Sequence, residues 1–123
     1  MQNLQTRPKG DAYILRGATA VRTEDNSVPL TTIIATYKIK ALDLYRVFGF
    51  PTWELGPEYG GIKWIYALTV YDDHKICLTD LQPKRSFDKI NRWSLSSQEG
   101  NKDVIFPLEL FLEQNGIVFL RSE

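Results

Sequence analysis

Between Lys40 and Asp80 the spacing of apolar residues changes from three-to-four to two, and the change is made at Phe48-Gly49-Phe50-Pro51. Upstream, Tyr37, Ala41, Leu44/Tyr45 and Phe48 recur at helical spacing, with Lys38, Lys40, Asp43 and Arg46 between them. That pattern predicts an amphipathic helix starting near Thr36 as a cap and ending at Gly49, because glycine closes helices readily and Pro51 cannot continue one. Downstream, Trp64, Tyr66, Leu68 and Val70 share one parity against Lys63, Ile65, Ala67 and Thr69, which predicts a strand with one strongly aromatic face. Asp72-Asp73-His74-Lys75 predicts a tight turn, and Ile76 to Leu81 the returning partner strand. The connection Pro51 to Gly61 holds two prolines, three glycines and the rings of Trp53 and Tyr59. It is longer than most connections, and long loops with aromatic residues are often functional.

The remaining segments complete an α+β chain. Residues 1–10 are polar, with Pro8 and Gly10, and read as a flexible lead-in; residues 11–123 read as a single domain. Asp11 to Thr23 alternates as one half-buried strand, followed by a turn at Glu24-Asp25-Asn26-Ser27. The β-branched run Val28 to Ile34 predicts a second strand pairing back on the first, with Pro29 at its start or on an edge. Gln82 to Lys89 is a basic loop, and Ile90 to Ser96 alternates as a further strand. Pro107 fits the first turn of a helix running to Gln114, which Asn115-Gly116 closes, and Ile117 to Leu120 is a short terminal strand. The order β-β-α-β-β-β-α-β predicts a two-layer α+β sandwich: a mostly antiparallel sheet of five or six strands with two helices on one face.

A chain of 123 residues buries enough surface to build a core without staples. Fifteen basic and fifteen acidic side chains balance, which argues against a general nucleic-acid binder and equally against an acidic mimic of DNA. The lone Cys77 cannot form an intramolecular disulfide, and its place in Lys75 to Thr79 suits a small buried hydrophobe. With no signal-like N-terminus and no run long enough to span a membrane, the sequence predicts a cytoplasmic, membrane-independent protein.

Ala35-Thr36-Tyr37, Phe48-Gly49-Phe50-Pro51, Lys63-Trp64, Thr79-Asp80 and Trp93-Ser94-Leu95 together form a recognisable string. It resembles that of small phage-encoded α+β proteins, whose pattern runs A-S/T-Y…F-G-x-P…K-x-x-x-W…Y-D…W-x-I. The resemblance covers residues 30–97 and implies a phage or mobile-element context, with no mechanism attached.

Candidate chemistry is sparse. His74 is the only histidine and reads as a turn residue. Without a second histidine or cysteine, a metal site would rest on carboxylates, which suit Mg²⁺ or Ca²⁺ better than zinc. Asp72 and Asp73 point apart on a turn, and Asp80 reads equally as a cap. No phosphate-cradling loop, nucleophile elbow or zinc-protease motif is present. The sequence therefore predicts no catalytic residues, no metal and no cofactor.

Two binding sets stand out instead. Trp53, Glu54, Glu58 and Tyr59 combine rings with charge, as interface anchors do, although both rings would equally serve as a lid over the sheet edge. Lys84, Arg85, Lys89, Arg92 and Trp93, with Phe87 between, resemble a small phosphate or nucleotide patch with a stacking platform. The leading expectation is a non-catalytic inhibitor or immunity-type protein that blocks a host or competitor protein through the 51–61 loop. The alternatives are a nucleotide-binding or sequestering module, for which self-association is a common way to build pockets, and a small metal-dependent nuclease.

Overall fold

The structure is a computed structural model and describes residues 7–8, 10–24, 32–56, 63–71 and 73–122. Among these, nine strands and two α-helices follow the order β1 (Arg7–Pro8), β2 (Ala12–Arg16), β3 (Thr19–Thr23), β4 (Ile33–Lys38), α1 (Ala41–Phe48), β5 (Trp53–Leu55), β6 (Lys63–Val70), β7 (His74–Asp80), β8 (Arg92–Ser97), α2 (Ile105–Gln114) and β9 (Leu120–Ser122). The strands form one sheet in the order β1-β5-β6-β7-β8-β4-β9, with the β2–β3 hairpin joined to β6 beside β5. All pairings are antiparallel except β2 with β6, where Tyr13 faces Leu68 and Ile14 faces Thr69. The α+β class stands, but the sheet is larger than five or six strands and is mixed.

Three segments depart from the sequence pattern for local reasons. The predicted single strand from Asp11 to Thr23 is a hairpin that reverses at Gly17, whose φ of 61° is open to glycine at little cost. A two-residue turn is easily overlooked within continuous alternation. It pairs Leu15 with Ala20 and Tyr13 with Arg22, and directly paired residues share a face. Ala20 therefore joins Leu15 at the core.

The second departure is at the helix start. Ile33 to Lys38 is strand, and α1 begins only at Ala41. β-branched Ile33, Ile34 and Thr36 favour the pleated state, and Tyr37 belongs to that strand rather than to the helical stripe. Thr36 does not cap the helix; its hydroxyl donates to the Ser122 carbonyl at 3.2 Å. β4 pairs with β8 and β9 instead of with the N-terminal hairpin, while residues 25–27 of the predicted turn at 24–27, and residues 28–31, lie outside the described residues.

The third departure is the connection after the helix. Trp53–Leu55 is strand β5, held between β1 and β6. Arg7–Pro8 therefore forms a sheet edge within the stretch read as a lead-in. Gly10 lies so close to the Phe50 carbonyl oxygen that no Cβ would fit there.

The helix stop itself is as the sequence indicates. Gly49 adopts φ 76°, and its N–H donates to the Tyr45 carbonyl at 2.7 Å. Ala41, Leu44 and Phe48 are buried at helical spacing, and Leu108, Phe111 and Leu112 of α2 join the same core. Phe48 is where the layers meet. Its ring lies 5.5 Å from Phe111, 5.6 Å from Tyr66 and 5.4 Å from Tyr13, centroid to centroid.

Sheet alternation separates two apolar clusters. Tyr66, Leu78, Leu95 and Ala35 form a cross-strand row facing the helices. On the opposite face, Trp53, Ile65, Thr79, Ser94, Thr36 and Ser122 form another row across six strands. There Trp53, Ile65 and Cys77 make a second, smaller buried cluster with Leu55 and Ala67 packed against it. Cys77 is thus the small buried hydrophobe its strand position suggests.

Candidate partner-binding surface

The sheet and its caps disperse the residues that the sequence groups as interface candidates. Trp53 is 7% exposed within the second cluster, so it is neither a loop ring nor an accessible anchor. Its indole N–H is buried without a hydrogen-bond partner. Glu54 is half-buried on β5, paired with Trp64. Glu58 and Tyr59 lie outside the described residues.

The basic set also divides. Lys84, Arg85 and Lys89 are exposed on the loop between β7 and β8, whereas Arg92 is the exposed first residue of β8. Trp93 is fully buried; its indole N–H donates to the Ile39 carbonyl at 3.0 Å and its ring packs on Tyr66. A ring so enclosed cannot stack on a base, which removes Trp93 as a platform. Arg92 is exposed at the start of β8, whereas every later residue of the strand is buried, on both faces of the sheet.

Asp80 fixes the shape of the basic loop. One carboxylate oxygen accepts the Gln82 N–H at 2.6 Å and the other the Trp64 N–H at 3.1 Å. At the far end, the Gln82 side-chain carbonyl accepts the Asn91 N–H at 2.9 Å, and the Leu81 N–H reaches the Arg92 carbonyl at 3.0 Å. The Ile90 N–H then closes a 3₁₀ turn on the Phe87 carbonyl at 3.1 Å. Burial raises the Asp80 pKa, opposed by the Trp64 and Gln82 N–H groups and by nearby Lys63. A carboxyl whose folded pKa is raised favours folding most when protonated. Asp80 therefore contributes stability at low pH that is lost as pH rises through its folded pKa. Comparing denaturation midpoints of the native protein and Asp80→Asn from neutral pH down toward 3.8, the ordinary value, should reveal this component in the native protein only. Parallel pH profiles for the two proteins would contradict it.

With the loop clamped, Phe87 stands between two other rings. Its centroid is 5.7 Å from Trp64 and 6.3 Å from Tyr45, and Tyr45 lies 5.3 Å from Phe50. All three contacts are edge-to-face, with interplanar angles of 79°, 70° and 78°, the geometry in which the positive edge of one ring meets the negative face of the next. The band Phe50–Tyr45–Phe87–Trp64 runs from the residue just past α1, over the outer side of that helix, to β6. Phe50 is 62% exposed and Tyr45 41%, while Phe87 and Trp64 are half-buried. Arg46, on the same helix as Tyr45, is exposed, as are Lys84, Arg85 and Lys89 on the loop that carries Phe87.

Sequence reasoning missed this band because Tyr45 fits the edge of the helical stripe and Phe50 reads only as punctuation. One signal was present. A ring directly after Gly49 and before Pro51 has left the helix and has no place on its buried face.

Grooves among the described residues lie elsewhere. One of about 710 Å³ is lined by residues including Tyr71, His74, Lys102, Phe106, Glu109 and Arg121. His74 begins β7, with its Nδ1 2.7 Å from Asp73 and its ring edge-on to Tyr71 at 5.6 Å. Another groove, about 360 Å³, runs beside β9. Among the described residues no group of three or more His, Cys, Asp or Glu side chains could hold a metal ion, and no helix is long and apolar enough to cross a membrane. Comparison with family models, with curated proteins and with solved structures returned no match.

Proposed function

We propose that this protein is a non-catalytic binding protein that occludes a partner protein, gripping it through Phe50, Tyr45 and Phe87 with Trp64 behind them. The carrying observation is the aromatic band, whose outer members remain open to solvent although the chain has buried clusters on both faces of its sheet. Exposed rings already ordered by edge-to-face contacts lose little conformational freedom on binding, which is why aromatic residues dominate interface energetics. Arg46, Lys84, Arg85 and Lys89 favour a partner whose rim is acidic. In the setting implied by the resemblance to small phage-encoded proteins, that partner is a host or competitor protein and the outcome is inhibition.

This reading moves the contact from Trp53 to Phe50 while keeping it beside the same connection. Glu54, opposite Trp64 in the sheet, remains at the margin of the proposed surface. Phe50→Ala and Tyr45→Ala are expected to leave stability within about 1 kcal/mol, as for surface changes. Each is expected to weaken the partner complex by about 2 kcal/mol, roughly 30-fold. Calorimetry on the partner recovered with the native protein, together with thermal melts of both variants, checks this. Unchanged affinity in both variants would move the interface off the band.

A second reading is favoured by the clamped basic loop. Lys84, Arg85 and Lys89 are exposed around Phe87, a combination that suits the phosphates and base of a nucleotide. Native mass measurement with and without ATP separates the two readings. A nucleotide adduct lost with Lys84→Glu/Arg85→Glu would favour sequestering; no adduct at low salt would leave protein binding alone.

A further inference from the structure

We propose that the open side of β9 is a second docking site, which accepts an extended apolar segment carrying acidic residues from a partner protein as an added strand. β9 pairs with β4 and, among the described residues, with no other strand; all three of its residues are exposed. An edge of this kind presents backbone N–H and C=O groups to any extended chain, and such pairing supplies affinity independent of sequence.

The surroundings of β9 supply the side-chain preference. Val118 and Leu120 are 79% and 66% exposed, and with Phe119 they line the groove of about 360 Å³. Lys38 and Lys40, both exposed, line the same groove, with Asp43 as its one acid among the described residues. In register, Lys38 lies between Leu120 on β9 and Arg92 on β8, so cations stand directly behind the exposed leucine. Alternate side chains of an added strand face the two sides of the sheet. Those on this side would meet Val118 and Leu120 first and the ammonium groups of Lys38 and Lys40 next. Apolar residues with a neighbouring carboxylate satisfy both, whereas a basic segment would bring like charges together. Natural edges are often protected by lysine and by short length, and β9 is short. The exposed Val118 and Leu120 run against that protection, and this is the feature an occupant explains.

The test uses the whole ¹⁵N-labelled protein and two extended peptides, one repeating Val-Thr-Glu-Thr, which places valine and glutamate on the same face of a strand, and one with lysine in place of glutamate. The glutamate peptide is expected to shift and protect from exchange the amides of Leu120–Ser122. The lysine peptide is expected to bind at least about tenfold more weakly. Lys38→Glu/Lys40→Glu, both at exposed positions, should reverse that preference, and Phe50→Ala should leave it unchanged, which separates this site from the aromatic band. Failure of the glutamate peptide to perturb β9, or equal binding of both peptides, would overturn the proposal. Perturbation confined to Tyr45 and Phe87 would also overturn it. Concentration-dependent protection of β9 without peptide would assign the edge to a second copy of this chain and likewise overturn it.

Discussion

Phe48→Ala is expected to destabilise the protein by about 3–5 kcal/mol, the cost of truncating a buried aromatic side chain in a core that cannot collapse around the space. A domain of ordinary stability has about 5–15 kcal/mol in total, so the variant is expected to be partly unfolded at room temperature or to melt more than about 10 °C lower. The reason is positional. Phe48 is 3% exposed and touches Tyr13 on β2, Tyr66 on β6 and Phe111 on α2, so one ring joins the N-terminal hairpin, the central sheet and both helices. Phe48→Leu keeps most of the apolar volume but loses the ring contacts, and is expected to fall between the two. A thermal melt of Phe48→Ala within a degree or two of the native protein would contradict the placement of α1 against the sheet.

Trp53→Ala is expected to cost a similar amount, about 3–5 kcal/mol, because the ring is buried against Ile65 and Cys77. An exposed anchor would behave differently, leaving stability within about 1 kcal/mol and losing only affinity. Trp53→Phe sharpens the test. It retains most of the apolar area and removes the indole N–H, which is buried with no partner and whose relief is itself worth about 1–3 kcal/mol. Trp53→Phe should therefore be more stable than Trp53→Ala by at least about 2 kcal/mol. Acrylamide should quench Trp53 emission poorly in a variant lacking Trp64 and Trp93. Efficient quenching, with stability unchanged in Trp53→Ala, would restore Trp53 as a surface residue.

Trp53 and Phe50 show where reading the chain succeeds and where it stops. Local chemistry made the helix stop legible: a glycine at positive φ followed by proline admits few alternatives, and Gly49 adopts that geometry. The hairpin of β6 and β7 was equally legible, because period-two alternation puts Tyr66, Leu68 and Val70 on one face, the one turned to the main core. Pro107 in the first turn of α2 and Gly116 just past its end, at φ 71°, follow the same logic. What could not be read was which rings the fold would cover. Trp53 and Phe50 flank the same Pro51-Thr52 pair and look alike in sequence. Trp53 is buried on β5, paired with Pro8 and Ile65, whereas Phe50 lies in no strand among the described residues and is open to solvent.

The sequence by itself determined the α+β class, where the helices stop, the core side of the central strands and the burial of Cys77, because each follows from short-range periodicity and backbone preference. Only the tertiary structure decided that the chain reverses at Gly17, that β2 joins β6 in parallel, that Tyr37 belongs to a strand, and that Trp93 is buried while Tyr45 and Phe50 are not. These depend on which distant segments meet across the sheet. Pairing between strands tens of residues apart is selected by the total burial of the whole core, a quantity that no local window contains.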